Sequence, residues 1–172
     1  MTAVFAIDAC RTPVGKIKGS LAPVRPDHLT ADVIGALLAR NPWLDPARID
    51  DVYWGAANQA GEDNRNVARM GVLLAGLPVE VPGATVNRLC GSGLEAVTAG
   101  ARAIAQGEAE ICVVGGVESM SRAPFVMAKA GEAFQRAFVS RETTSLILRL
   151  KLQQPYRSPR RLDARFSNRT KR

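Results

Sequence analysis

The chain has 172 residues, 47% of them apolar and 23% charged, the composition of an ordinary globular domain built around one core. No apolar run reaches the roughly 18 residues of a membrane span, and MTAVFAIDAC lacks the basic start and long apolar stretch of a secretory leader, so a cytoplasmic protein with no membrane partner is expected. The net charge of +7 suggests a nucleic-acid binder until it is located: residues 1–134 hold 12 Lys or Arg against 14 Asp or Glu, whereas residues 135–172 hold 11 against 2 and none of the 15 glycines.

In chain order, Ala3–Ile7 reads as a first strand, ended by the turn material RTPVGKIKGS. PDHLTADVIGALLAR follows as a helix, with Asp27 as its cap and Leu29, Val33 and Leu37 on one face, backed by Ile34 and Leu38. Asn41-Pro42 breaks it. Asp51–Ala56 is a second strand, and Asn66–Ala75 a second helix closed by Gly76 and Pro78. Ala84–Leu89 is a third strand, Ser92–Gln106 a third helix closed by Gly107, and Ile111–Gly115 a fourth strand buried on both faces. The alternation gives an α/β fold of βαβαβαβ order with a mainly parallel sheet and right-handed crossovers. Ligands of such sheets bind off the carboxyl ends of the strands.

One stretch places chemistry at that edge. In VNRLCGSGLEAV, Cys90 stands between a strand and a helix whose apolar positions Leu94, Val97, Ala101 and Ile104 keep helical spacing. The first N–H groups of a helix lack internal partners and the macrodipole is positive there, so a thiolate is stabilised and becomes a nucleophile. Gly91 and Gly93 let the chain turn sharply and let a carbonyl approach the backbone. The plainer alternative is a buried structural cysteine. The loop beginning Gly116-Val117-Glu118-Ser119 should leave the sheet at the same edge as Cys90, which favours the nucleophile. Three cysteines at wide spacing and a single histidine, His28, indicate neither a disulfide framework nor a metal site. GxxxxGK[ST] is absent and no GxGxxG follows the first strand, so no phosphate cradle is indicated.

The segments DACRTPVGKIKGSLA, GAANQAGEDNRNVARM, VNRLCGSGLEAV and GGVESMSRAPFVM, which span residues 4 to about 134, resemble the thiolases, acyltransferases that act on coenzyme A thioesters through a cysteine. LAPVRPDHLTA and NPWLDPARIDDVYWG look most like the acetyl-CoA acyltransferases of β-ketoadipyl-CoA type, used in aromatic degradation. The resemblance implies a thiolase N-terminal half over residues 1–137, with Cys90 accepting the acyl group and its own N–H serving the thioester oxyanion. It implies pocket support from Gly91, Ser92, Gly93, Asn87, Glu118 and Met120. It further implies acyl-CoA as substrate, no bound cofactor, a homo-oligomer, and a central helix from Ser92 in which Gly100 permits close packing.

The departures are as informative. The family's remaining catalytic elements, an Asn in an NEAF-like motif, a His in a GHP motif and a Cys in a CxGGG motif, have no counterpart in these 172 residues, nor does the loop domain that grips coenzyme A. Residues 138–172 resemble nothing in the family and form a basic tail, irregular or disordered apart from a possible short helix over Thr144–Leu152. A shifted reading frame in a GC-rich gene produces such an arginine-rich, glycine-free ending. The tail offers polyanion binding or no function, and without interleaved aromatic residues or a base-reading module it points to no specific nucleic acid.

The other polar residues have two readings each. Asn87 and Glu118 either satisfy loop backbone groups or bond each other across adjacent strand ends and fix the Cys90 loop. His28, in the first turn of its helix, is a solvated or capping residue or a base for Cys90. Cys10 and Cys112 are read as core. The role of Arg88 is open. Two functions follow: a thiolase-type acyltransferase incomplete in this chain, or a non-catalytic protein that self-associates or binds polyanions through its tail.

Overall fold

A computed structural model describes residues 3–127 and 140–142. Helix α1 runs over Pro26–Arg40, strand β1 over Asp51–Gly55, helix α2 over Val67–Leu74 and strand β2 over Ala84–Val86. Helix α3 follows over Ser92–Gln106, then strands β3 over Cys112–Gly116, β4 over Phe125–Met127 and β5 over Ser140–Glu142. Strands β2, β1 and β3 form a parallel sheet in that order, while β4 and β5 pair antiparallel as a separate ribbon.

Strand alternation sorts the β1 side chains between two helical layers. Val52 and Trp54 join Ile34 of α1 and Val67, Ala68 and Val72 of α2 in a buried cluster that Val113 completes. On the opposite face α3 approaches Tyr53, Cys112 and Val114 so closely that a Cβ on Gly100 would lie 2.6 Å from Val114 Cγ1. The close packing expected at Gly100 is therefore present. Helices α1 and α2 meet just as tightly, since a Cβ on Gly71 would fall 2.2 Å from Thr30 Cγ2. These contacts build a three-layer α/β/α unit.

Several expectations require correction. Ala3–Ile7 forms no strand: it pairs with nothing among the described residues, and Phe5 and Ile7 are 74% and 72% exposed. Among the described residues β3 is bonded only to β1, so its other edge offers unpaired backbone groups there, yet the N-terminal segment does not dock on it. Asp27 does not cap α1. Arg25 holds the N-cap position, and Asp27 lies inside the first turn, buried, where its carboxylate takes two hydrogen bonds from the Arg25 guanidinium and one from the His28 N–H. That guanidinium holds the Asp27 carboxyl below the usual range despite burial. α3 buries Ser92, Ala96, Gly100 and Ala103, while Leu94 and Val97 face outward. Small residues meet the sheet because its surface allows only a short approach, and the larger apolar stripe is left uncovered. The third strand ends at Val86, and β3 is only partly buried along its length. Ser140–Glu142, which falls in the expected tail, forms a strand; Thr144–Leu152 lies outside the described residues.

Candidate active site

The sheet register brings three chain crossings to one edge. Gly55 pairs with Val86 on one side and with Gly116 on the other, so the loops from Ala56, Asn87 and Val117 leave the carboxyl edge together. The expected convergence of the Cys90 and Glu118 loops is thus observed.

Cys90 is exposed and immediately precedes Gly91, the N-cap of α3. The turn carrying it is held by short bonds. Gly91 N–H donates to the Arg88 carbonyl at 3.1 Å, and Ser92 N–H to the Leu89 carbonyl at 3.1 Å. The buried Ser92 hydroxyl accepts from the Arg88 N–H at 2.9 Å and donates to the Leu89 carbonyl at 2.6 Å. Asn87 Oδ1 accepts the Leu89 N–H at 2.9 Å. Leu89, beside the cysteine, has φ 51°, a left-handed conformation that costs a branched side chain energy and persists only where neighbours hold it. Side-chain oxygens thus occupy the N–H groups of Arg88 and Leu89. Those of Cys90 and Gly93 have no partner among the described residues.

The sharp turn expected of Gly91 and Gly93 does not itself require glycine at either position. Gly91 has φ −95° and ordinary contact distances, so neither conformation nor crowding demands it, and Gly93 opens onto free space. The crowded glycine is Gly55, at the end of β1: a Cβ there would lie 2.4 Å from the Ser92 carbonyl carbon and 2.5 Å from the Gly93 nitrogen. Sequence reasoning missed its role. A glycine inside the strand pattern DVYWGA was the available signal.

Asn87 and Glu118 are exposed and do not bond each other. Each satisfies loop backbone groups, and both act on Ala57: Asn87 Nδ2 donates to its carbonyl at 3.0 Å, while Glu118 Oε2 accepts its N–H at 2.8 Å. Glu118 also accepts the Asn58 N–H at 3.3 Å. Arg88 forms an ion pair at 2.7 Å with Glu95 of α3. Met120 is exposed. The Ser119–Arg122 stretch is tied elsewhere: the Ser121 hydroxyl accepts the Lys18 N–H at 2.9 Å, and Arg122 pairs with Glu62 and donates to the Pro23 carbonyl at 3.1 Å. The Arg122–Glu62 pair had no sequence signal, because the partners lie 60 residues apart.

The other thiols are less available. Cys112 is half-buried on β3, where burial, reinforced by Asp51 and Asp50, pushes its thiol up to about 11. Cys10 is half-buried and donates to the Val33 carbonyl at 3.4 Å. It lines an apolar cavity of about 720 Å³ between the N-terminal segment, α1 and the end of β3, which Met120 also borders and Cys90 does not. His28 is exposed on α1, and no hydrogen bond among the described residues joins it to Cys90. Among the described residues, no helix is long and apolar enough to cross a membrane.

The thiolase N-terminal domain model matches residues 4–151. A β-ketoadipyl-CoA thiolase of Pseudomonas knackmussii is 60% identical over 141 residues, covering 82% of this chain and 35% of that protein. A 3-oxoadipyl-CoA/3-oxo-5,6-dehydrosuberyl-CoA thiolase of Escherichia coli is 58% identical over 144 residues, covering 84% of this chain and 36% of that protein. A crystal structure of the Bacillus anthracis acetyl-CoA acetyltransferase superposes with a TM-score of 0.73 at 33% identity, covering 80% of this chain and 35% of that one. The chain therefore spans about a third of the length of the relatives it matches. With its α/β/α layers, its cysteine turn and a family match over most of its length, the chain belongs to the thiolase family of acyltransferases.

Proposed function

We propose that Cys90 is the nucleophile of thiolase-type acyl transfer and that these 172 residues carry its first half-reaction alone. The observation behind this reading is an exposed thiol at the N-terminus of α3, in a turn whose Cys90 N–H is unpartnered among the described residues. The Cys90 thiol gives its proton to solvent. The thiolate sulfur attacks the thioester carbonyl carbon, and the Cys90 N–H donates to the developing oxyanion. Collapse breaks the carbon–sulfur bond to coenzyme A, whose thiolate leaves and takes a proton, and the acyl group stays on Cys90. Gly91, Ser92 and Gly93 support this turn, while Asn87 and Glu118 set its outer wall.

The acyl-CoA substrate class follows from the relatives' names, and a β-ketoadipyl-CoA-type substrate is the finer reading, since those at 58–60% identity carry such names. Carbon–carbon bond formation or cleavage also requires a base at the α-carbon and a donor for the enolate oxygen. The sequence contains no GHP, CxGGG or NEAF-like motif to supply them. Residues 1–137 are assigned to this acyl-accepting unit and 138–172 to a basic extension without a catalytic part, although the family match runs on to residue 151.

The test is incubation with a radiolabelled acyl-CoA and, in parallel, an assay for acetoacetyl-CoA cleavage. Slow protein labelling abolished by Cys90→Ser, without turnover, is the expected result. Turnover would contradict the half-reaction and direct attention to His28. Absence of both would favour a non-catalytic, self-associating chain.

A further inference from the structure

The outer edge of β3 opens onto the apolar cavity of about 720 Å³ that separates it from the N-terminal segment. Backbone direction alternates along the strand. The Val117 N–H donates to the Gly55 carbonyl and the Ile111 carbonyl accepts the Asp50 N–H, so the odd-numbered residues face β1, while Cys112, Val114 and Gly116 turn their N–H and C=O groups outward. None of those three N–H groups has a partner among the described residues. On the α1 side the gap is lined by Leu29, Val33 and Leu37, an apolar stripe of helical spacing that the rest of the core leaves half-buried. On the α3 side stands Val97, which is 46% exposed. A row of free backbone groups with a helix on either side suits a strand better than a small molecule.

The chain's own extension carries a segment of that kind. Residues 146–152 read LILRLKL, with Leu146, Leu148, Leu150 and Leu152 recurring at every second position around Ile147, Arg149 and Lys151. That is the period of a strand, and it competes with the helix expected over the same stretch. The segment is also within reach. β5 ends at Glu142, opposite Phe125, and Phe125 is four residues from Ser121 at the rim of the cavity. Four extended residues and one strand spacing put Glu142 within about 19 Å of that rim, and the six residues from Glu142 to Leu148 span about 20 Å. We propose that residues 148–152 fill the gap as a strand hydrogen-bonded to the outward groups of Cys112, Val114 and Gly116. Entry from Ser121 is entry at the carboxyl end of β3, so the course is antiparallel, and five residues match the five of Cys112–Gly116. Alternation sends Leu148, Leu150 and Leu152 against Leu29, Val33 and Leu37, and sends Arg149 and Lys151 to the open α3 side, where their charged heads stay in water. Because the segment belongs to the same chain, its effective concentration favours it over a strand from any separate molecule.

Hydrogen exchange at single amides of the full chain tests this, in the wild type and in the double variant Leu148→Asp/Leu150→Asp. Val113 and Gly115, which face β1, report whether the sheet is intact. The expected result is slow exchange at Cys112, Val114 and Gly116 in the wild type at every chain concentration, and loss of that protection in the variant while Val113 and Gly115 stay protected. Fast exchange of the three outward amides in the wild type would overturn the proposal. So would protection that survives in the variant, which would give the edge to the N-terminal segment, or protection that grows with chain concentration, which would give it to a second copy. Should the variant fail to fold, nuclear Overhauser contacts in the wild type decide: contacts between the amide protons of β3 and those of residues 148–152 support the strand, and their absence overturns it.

Discussion

Gly55 and Ser92 touch backbone to backbone, with a Cβ on Gly55 falling 2.4 Å from the Ser92 carbonyl carbon. The end of the central strand is the seat on which the N-terminus of α3 rests. Any side chain at that position must lift the helix and the turn that precedes it, because the blocking atoms are backbone and cannot rotate away.

Gly55→Ala is therefore expected to damage the Cys90 turn before it damages the rest of the sheet. Overpacking of this kind costs about 1–3 kcal/mol. A lower urea midpoint accompanied by a changed Cys90 alkylation rate per thiolate is the expected outcome. An unchanged rate in the folded variant would show that the seat does not position the nucleophile.

The three thiols should react in an order set by exposure and charge. Cys90 is exposed, Cys10 is half-buried and donates to a carbonyl, and the Cys112 thiol is pushed to about 11. At pH 8 only about one Cys112 in a thousand is thiolate. Peptide mapping after brief iodoacetamide treatment at pH 8 should find label on Cys90 first and on Cys112 last; equal labelling would refute the order.

Asp63 makes stability depend on pH. Burial, reinforced by Glu118, Asp27 and Glu62, pushes its folded value up to about 6, above the ordinary 3.8, so between those values the folded chain binds more protons than the unfolded one. This group's contribution is fully present below about pH 4 and is lost as pH rises through 6. Asp63→Asn should remove that slope and stabilise the chain at pH 7 on the order of 1–2 kcal/mol. Urea melts at pH 4.5 and 7 check it: the same wild-type-to-variant difference at both values would contradict the assignment.

Association should follow from the uncovered apolar surface. Phe5, Ile7 and Val14 on the N-terminal segment and Leu94 and Val97 on α3 are all exposed. Light scattering over a range of concentrations should show dimers or larger species. A clean monomer throughout would contradict this expectation.

Much of this fold was legible because it is written in local patterns. The helices at Pro26, Val67 and Ser92 and the strands at Asp51, Ala84 and Cys112 fall where periodicity and glycine or proline stops place them. The Cys90 corner was legible for the same reason, as a strand, a glycine-flanked cysteine and a helix in sequence. What escaped was long-range. Ala3–Ile7 has the composition of a strand, but strand formation needs a partner, and composition does not report whether one exists. The outward turn of Leu94 and Val97 is set by how near Gly55 and Gly100 bring α3 to the sheet, and that distance has no one-dimensional signature. The grip of Asn87 and Glu118 on Ala57 joins residues 30 and 61 positions apart. Their bonding to loop backbone was one of two open readings, but their shared target was not visible.

The most direct measurement is to locate an acyl group after exposure to an acyl-CoA thioester. Wild-type chain is incubated with acetyl-CoA, quenched in acid, digested and mapped by mass spectrometry, with Cys90→Ser alongside. The expected result is an acetyl group on the peptide containing Cys90, absent from the variant, with Cys10 and Cys112 unmodified. Acetylation spread over all three cysteines, or found equally in Cys90→Ser, would contradict the assignment of Cys90 as the acyl-accepting nucleophile.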